Sequence, residues 1–96
     1  MAHEAEGPIG REIAQRLRAA LQPERLVVTD DSEQHRGHAG HDERGERHFT
    51  VDIVAAAFAG QSRVARQRAV NAALAELLTE RVHALAIRAR APDEVE

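Results

Sequence analysis

Near the start of the chain, apolar residues recur at every fourth position, at Ile9, Ile13, Leu17 and Leu21. This spacing places them on one face and predicts an amphipathic helix over 8–21. Pro8 suits the first turn of this helix, because its missing N–H needs no partner there. Pro23 marks the end, since the residue before a proline disfavours helical backbone angles.

A second helix is predicted over 62–80, with Ser62 as its N-terminal cap. Its apolar stripe consists of Val70, Ala73, Leu74, Leu77 and Leu78. The stretch 55–60 before it is predicted as a turn with a short helical piece around Phe58.

Three further stretches are typical of strands. The first, 26–29, is short and β-branched, and the other two, 48–54 and 83–88, alternate apolar and polar residues. In the second strand Phe49, Val51 and Ile53 point inward, while His48, Thr50 and Asp52 point outward. In the last strand Leu85 and Ile87 point inward. The segment 31–47 is rich in Gly, His and charge and lacks apolar periodicity, which favours a long loop.

The order helix, strand, strand, helix, strand predicts a two-layer α+β domain. The first two strands, adjacent along the chain, should pair antiparallel. The last strand follows a helical crossover, so it should lie parallel to the second strand. Because only one sheet face is apolar, both helices should cover that face of a three-stranded mixed sheet. We therefore expect a single domain over 8–91, which includes the loop 31–47, between a flexible tail at 1–7 and a second tail at 92–96.

The length of 96 residues suits one small domain, and the composition excludes several classes of function. The absence of cysteine rules out disulfides, thiol catalysis and cysteine-built metal sites supplied by this chain alone. No apolar run reaches the ~18 residues of a membrane span, and the N-terminus lacks the pattern of a secretory signal. A cytoplasmic protein without membrane contact is therefore expected. The net charge of −3 argues against a global attraction to nucleic acid.

The histidines are the candidate metal-binding residues. Parallel neighbouring strands begin at the same end of a sheet, so His48 and His83 should lie at one edge. The long loop enters the second strand at this edge and carries His35, His38 and His41. Neutral imidazole binds iron, zinc, copper and nickel, so two histidines from different elements form a candidate half-site that other ligands must complete. His3 lies in the predicted tail and is set aside.

Six segments, between Ile9 and Pro92, resemble the BolA-like protein family when taken in order. They are Val28-Thr29-Asp30-Asp31-Ser32, Arg47-His48-Phe49, Phe58-Ala59-Gly60-Gln61-Ser62, Arg66-Gln67-Arg68, Ala73-Leu74-Ala75-Glu76-Leu77-Leu78 and His83-Ala84-Leu85. The resemblance implies an α-β-β-α-β fold similar to class II KH domains, in agreement with the element order.

The resemblance also implies a partnership with a monothiol glutaredoxin. In such pairs a [2Fe–2S] cluster is held by a glutaredoxin cysteine, by glutathione and by two residues of the BolA-like partner. Here these two fall on His83 and on His35, with His38 as the near competitor and His41 as a further alternative. Imidazole ligation raises the reduction potential and makes binding sensitive to pH, which suits a labile cluster in iron–sulfur trafficking or iron-responsive regulation. The isolated chain is expected to carry no cofactor and to be a monomer or weak homodimer.

One position departs from the family pattern, which has histidine where this chain has Gln67. Position 67 lies three residues before Val70 and seven before Leu74, so we expect it on the buried helical stripe, in a structural role.

A DNA-binding transcriptional regulator is the alternative function. Arg63, Arg66 and Arg68 lie near the start of the second helix, after Gly60, where a helix N-terminus can receive phosphate. Net negative charge and the near-absence of aromatic residues oppose this alternative. An enzyme is not expected, because Ser62, His83 and Asp52 fall on different elements and share no pocket.

Overall fold

The computed structural model describes residues 3–4, 7–31, 48–80, 82 and 84–95. Four strands and three helices account for most of these residues. They are β1 (His3–Glu4), α1 (Pro8–Leu21), β2 (Arg25–Asp30), β3 (His48–Val54), α2 (Arg63–Ala73), α3 (Ala75–Glu80) and β4 (Ala84–Arg90). Short 3₁₀ turns at Ala56–Phe58 and Pro92–Glu94 complete the described part.

The sheet has the predicted topology. Its strand order is β1-β2-β3-β4, with β2 antiparallel to β3 and β3 parallel to β4. The parallel pair places His48 opposite Ala84 and Val54 opposite Arg90, so β3 and β4 begin at the same end. The three predicted strands and their mutual directions are therefore confirmed.

The helices pack on the apolar face of the sheet, as the alternation along β3 predicts. Ile13 and Leu17 of α1 join Val70 of α2 and Phe49 of β3 in one buried cluster. Helix α1 has the expected bounds: Pro8 lies in its first turn, and Gln22 caps it in a left-handed conformation with φ of 48°. On the opposite sheet face Val27 stays 37% exposed. The fold is thus a two-layer α+β structure.

The predicted helix over 62–80 is wrong in one respect, because it is two helices. Ser62 caps α2 as expected, its Oγ accepting a hydrogen bond of 3.1 Å from the Ala65 N–H. The break falls at Leu74, with φ of −112° and ψ of 14°. Leu74 remains 1% exposed and Leu77 8% exposed, so both still pack into the core on either side of the break.

Short regular elements lie within both predicted tails, 1–7 and 92–96, whose flexibility stays a prediction. His3 and Glu4 form β1 and pair antiparallel with Asp30 and Thr29, because the outer edge of β2 offers backbone groups that an extended segment satisfies. At the other end, Pro92–Glu94 forms a 3₁₀ turn after the buried Ala91. Neither addition alters the three-stranded core of the sheet.

No helix within the described residues is long and apolar enough to cross a lipid bilayer.

Candidate functional site

The two ends of the predicted histidine-rich loop are fastened together on the sheet. The Asp31 N–H donates a backbone hydrogen bond of 2.8 Å to the carbonyl of His48. The Thr50 hydroxyl also donates a bond of 2.5 Å to Oδ2 of Asp31. The chain therefore leaves the sheet after Asp31 and returns to it at His48 from adjacent points.

The start of β4 lies at this same end. His48 pairs with Ala84 across the parallel ladder, and neighbouring strands are about 4.8 Å apart. Asp31, His48 and Ala84 thus lie side by side at one end of the sheet, which we call the loop end. The predicted geometry is confirmed for these described residues.

The predicted ligands themselves lie outside the described residues. His35, His38 and His41 belong to the segment 32–47, and His83 immediately precedes Ala84. Their assignment therefore stays a prediction. Of the histidines predicted at this edge, His48 is the one described, half-buried at the start of β3. Within the described part of the chain, no group of three or more His, Cys, Asp or Glu side chains is placed to hold a metal ion.

Of the three arginines considered for phosphate binding, Arg66 is engaged by another part of the chain. Arg63 and Arg68 are exposed, but the Arg66 side chain is only 11% exposed and forms an ion pair with Glu94. Its Nη1 and Nη2 donate bonds of 2.6 and 2.9 Å to the two Glu94 oxygens. Further bonds run from Nη1 to the carbonyl of Ala89, at 3.1 Å, and from Nε to that of Gln61, at 3.0 Å. Arg66 therefore fastens the C-terminal turn to α2 and β4.

The position of Arg66 also explains why the expectation for Gln67 is wrong. Gln67 is exposed, and Arg66 is turned inward, four residues before the buried Val70. The inward face of α2 is thus continued by the residue four positions before Val70, and not by the residue three positions before it. The family histidine is replaced here at a surface position.

Glu94 is the acidic partner of Arg66 in this contact, which we call the C-terminal anchor. Its Oε1 also accepts a hydrogen bond of 2.9 Å from the Ala91 N–H. Hydrogen bonds from Arg66 and then from the Ala91 backbone lower the pKa of Glu94 from its ordinary value of 4.5 to about 2. Because the two partners are 28 positions apart in the chain, no local sequence pattern could reveal this pair.

We expect the Arg66–Glu94 anchor to make folding stability acid-sensitive. A carboxylate with a lowered folded pKa stabilises the fold above its unfolded value and loses that contribution as it is protonated. The loss should run from about pH 4.5 down to about pH 2. Glu94→Gln should remove this part of the acid dependence in thermal unfolding measured across that window.

Glu76→Gln is the matched control, because Glu76 also pairs with an arginine, Arg16, at 2.9 Å but has a side chain 79% exposed. Exposed ion pairs contribute little, so this variant should keep the acid profile of the parent. A Glu94→Gln profile identical to that of the parent would contradict the anchor.

Ser62 and Asp52, two of the three residues considered for an enzymatic site, have other roles. Ser62 caps α2, and Asp52 accepts a hydrogen bond of 2.9 Å from Nη2 of Arg90. Asp52 lies on β3 and Arg90 on the neighbouring β4, so these side chains join the strands across the open sheet face.

A comparison with protein families matches residues 17–94 to the model described as "BolA-like protein". An uncharacterized Sinorhizobium protein of the cobS 5′ region is 51% identical over 83 residues, which cover 85% of this chain and 89% of that protein. Human BolA-like protein 1 is 44% identical over 88 residues, which cover 92% of this chain. The match spans 61% of the human protein's length.

Solved structures show the same fold. The BolA domain of SufE1 from Arabidopsis thaliana matches with a TM-score of 0.84 and 44% identity, covering 95% of this chain and 100% of that domain.

Proposed function

We propose a function for this chain from one premise: the chain belongs to the BolA-like protein family. It acts as a non-catalytic adaptor that pairs with a monothiol glutaredoxin and shares a labile [2Fe–2S] cluster with it. His83 and a loop histidine, His35, supply the ligands from this chain. The partner's cysteine and glutathione supply the others. The role lies in iron–sulfur trafficking or iron-responsive regulation.

The geometry of the loop end is the observation on which this proposal rests. His83 is covalently bonded to Ala84, which pairs with His48. Asp31 is hydrogen-bonded to the same His48. His35 follows Asp31 by four residues, and four residues span at most about 14 Å. The two proposed ligands are therefore tied by short lengths of chain to neighbouring points on a rigid sheet.

The donor chemistry fits the proposed cluster. Imidazole replaces thiolate on one iron of known [2Fe–2S] centres, and this chain has histidine but no cysteine to offer. Two ligands hold a metal site poorly, so a partner must complete the shell. When bound, the cluster supplies a transferable iron–sulfur unit with redox activity. This chain's residues bind and orient one side of it.

The relatives support an iron–sulfur role. The similar solved structure is the BolA domain of a protein named SufE1, so in that relative the domain belongs to a protein with a SufE name. This association favours an iron–sulfur role for the family fold over an unrelated one.

The test is the absorption spectrum of the cluster in the co-purified pair of this chain, glutaredoxin and glutathione. His83→Ala should abolish the visible absorption bands of the cluster or shorten the lifetime of the cluster about tenfold or more, because it removes a ligand. Arg68→Ala is the control and should keep the parent spectrum, since Arg68 is exposed on α2, whose Arg66 contacts Ala89 near the opposite end of β4. An unchanged spectrum and lifetime in His83→Ala would overturn the ligand assignment.

The DNA-binding alternative gains no support from the described residues. Arg66 is held by Glu94 and by two backbone carbonyls, so it cannot serve a phosphate without breaking the C-terminal anchor. Arg63 and Arg68 are left as two exposed cations on a chain of net charge −3. We therefore advance the adaptor function alone.

A further inference from the structure

Strand β4 forms an open edge of the sheet. The strand order is β1-β2-β3-β4, so within the described part of the chain one side of β4 has no neighbouring strand. At the other edge of the sheet, β1 covers the outer side of β2. Strand β4 contains neither proline nor glycine. A strand of this kind offers unpaired backbone groups to which another strand can add.

The hydrogen bonds to β3 show which backbone groups of β4 face its open side. The Arg90 carbonyl accepts a bond of 3.1 Å from the N–H of Ala55, the residue after β3, so the backbone groups of Arg90 face β3. Backbone groups alternate in direction along a strand. Those of Leu85, Ile87 and Ala89 therefore face the open side.

Arg66 closes only one end of this edge. Its Nη1 donates a bond of 3.1 Å to the Ala89 carbonyl, which agrees with the outward direction of that group. Within the described residues, the outward N–H and carbonyl groups of Leu85 and Ile87 have no hydrogen-bond partner. The open part of the edge thus consists of the backbone groups of these two residues.

We infer that β4 pairs with β4 of a second copy of this chain, antiparallel about Ala86. In this register Leu85 lies opposite Ile87 of the second copy, and two-fold symmetry supplies the reverse pair. Opposite residues whose backbone groups face each other exchange both N–H···O bonds in an antiparallel ladder. The pairing therefore satisfies all the open groups of Leu85 and Ile87. It does not depend on the proposed function.

The side chains fit this pairing. Ala86 is exposed and lies opposite its own copy, and its small side chain suits a non-hydrogen-bonded pair, in which the Cα atoms are only about 4.5 Å apart. On the helix-covered face, the half-buried Leu85 and Ile87 form apolar cross-strand pairs beside the core. On the open face, the exposed Arg88 lies opposite the exposed Ala84 of the second copy.

Other registers fit less well. Pairing about Ile87 would need the Ala89 carbonyl, which already accepts a bond from Arg66. Pairing about Arg88 would place two arginines directly opposite each other, which is destabilising. Strand β4 therefore carries the complement of its own open edge in one register, and this selects a second copy as the occupant.

The test is sedimentation equilibrium of the purified chain over a range of concentrations, with opposite charges introduced at Ala84. Ala84→Glu should lower the dissociation constant of the dimer roughly fivefold, because each glutamate lies opposite Arg88 of the other copy. Ala84→Arg should raise it by a similar factor, since it places like charges opposite each other. Ala72→Glu and Ala72→Arg are the matched controls and should leave the constant within about twofold, because Ala72 is exposed on α2.

Amide hydrogen exchange of the parent chain gives an independent readout within the strand. The Leu85 and Ile87 amides should exchange slowly at a concentration where the chain dimerises and fast after dilution. The Ala86 and Arg88 amides face β3 and should stay protected at both concentrations. A contact through another surface would not produce this alternation.

Three results would each overturn the β4 pairing. The first is a chain that stays monomeric up to about 1 mM. The second is a dimer whose dissociation constant responds in the same direction, or not at all, to the two charges at Ala84. The third is exchange of the Leu85 and Ile87 amides that does not change with concentration.

Discussion

Replacing His35 with alanine is expected to shorten the lifetime of the shared cluster by about tenfold or more. Among the loop histidines, His35 is closest along the chain to the fixed Asp31, four residues away, while His38 and His41 are seven and ten residues away. A shorter tether gives a higher effective concentration of imidazole beside the start of β4. The measurement is the decay of the visible absorption of the glutaredoxin pair.

His38→Ala and His41→Ala are the matched controls, since each removes one imidazole from the same loop. Both should leave the lifetime within about twofold of the parent, well below the tenfold loss expected for a ligand. If His38→Ala shows the large loss and His35→Ala does not, His38 is the ligand. Equal small losses in all three would argue against any single loop histidine.

Phe58→Ala is expected to give the largest loss of stability, about 3–5 kcal/mol. Phe58 is 0% exposed and belongs to the core cluster at the turn between β3 and α2. Removing its ring leaves a cavity that the neighbouring elements fill only in part. A domain of this size has a free energy of unfolding of about 5–14 kcal/mol, so the loss should be a large fraction of the total, as urea denaturation can measure.

Val64→Ala is the control for an apolar residue outside the core, because Val64 is 57% exposed at the start of α2. A surface substitution of this kind should change the free energy of unfolding by no more than about 0.5 kcal/mol. A similar small loss in Phe58→Ala would contradict the placement of the aromatic ring in the core.

Local periodicity was sufficient for the elements that build the loop end. The four-residue spacing before Leu21 predicted the bounds of α1 correctly. The alternation around Val51 predicted both the bounds of β3 and its buried face. Strand directions followed from element order, because a helical crossover returns a strand parallel to its neighbour. That β3 and β4 begin at the same end of the sheet was therefore predictable from the element order.

The contacts that the sequence did not reveal join residues far apart in the chain. Arg66 was considered as a phosphate-binding residue only under the alternative function, but its guanidinium is bound by Glu94, 28 residues later. Asp52 was predicted correctly on the open sheet face, but its pairing with Arg90 was not foreseen. The short strand β1 was missed because two residues carry no periodic signal and depend on the free edge of β2.

The sequence by itself determined α1, the three long strands with their directions and the two-layer arrangement, because hydrophobic periodicity and element order can be read along the chain. Only the tertiary structure decided that Arg66 binds Glu94 while Arg63 and Arg68 are exposed. It also decided that Gln67 faces outward and that Thr50 rather than Thr29 binds Asp31. Those choices depend on ångström-scale distances between side chains from separate elements, and such distances arise only when the elements pack.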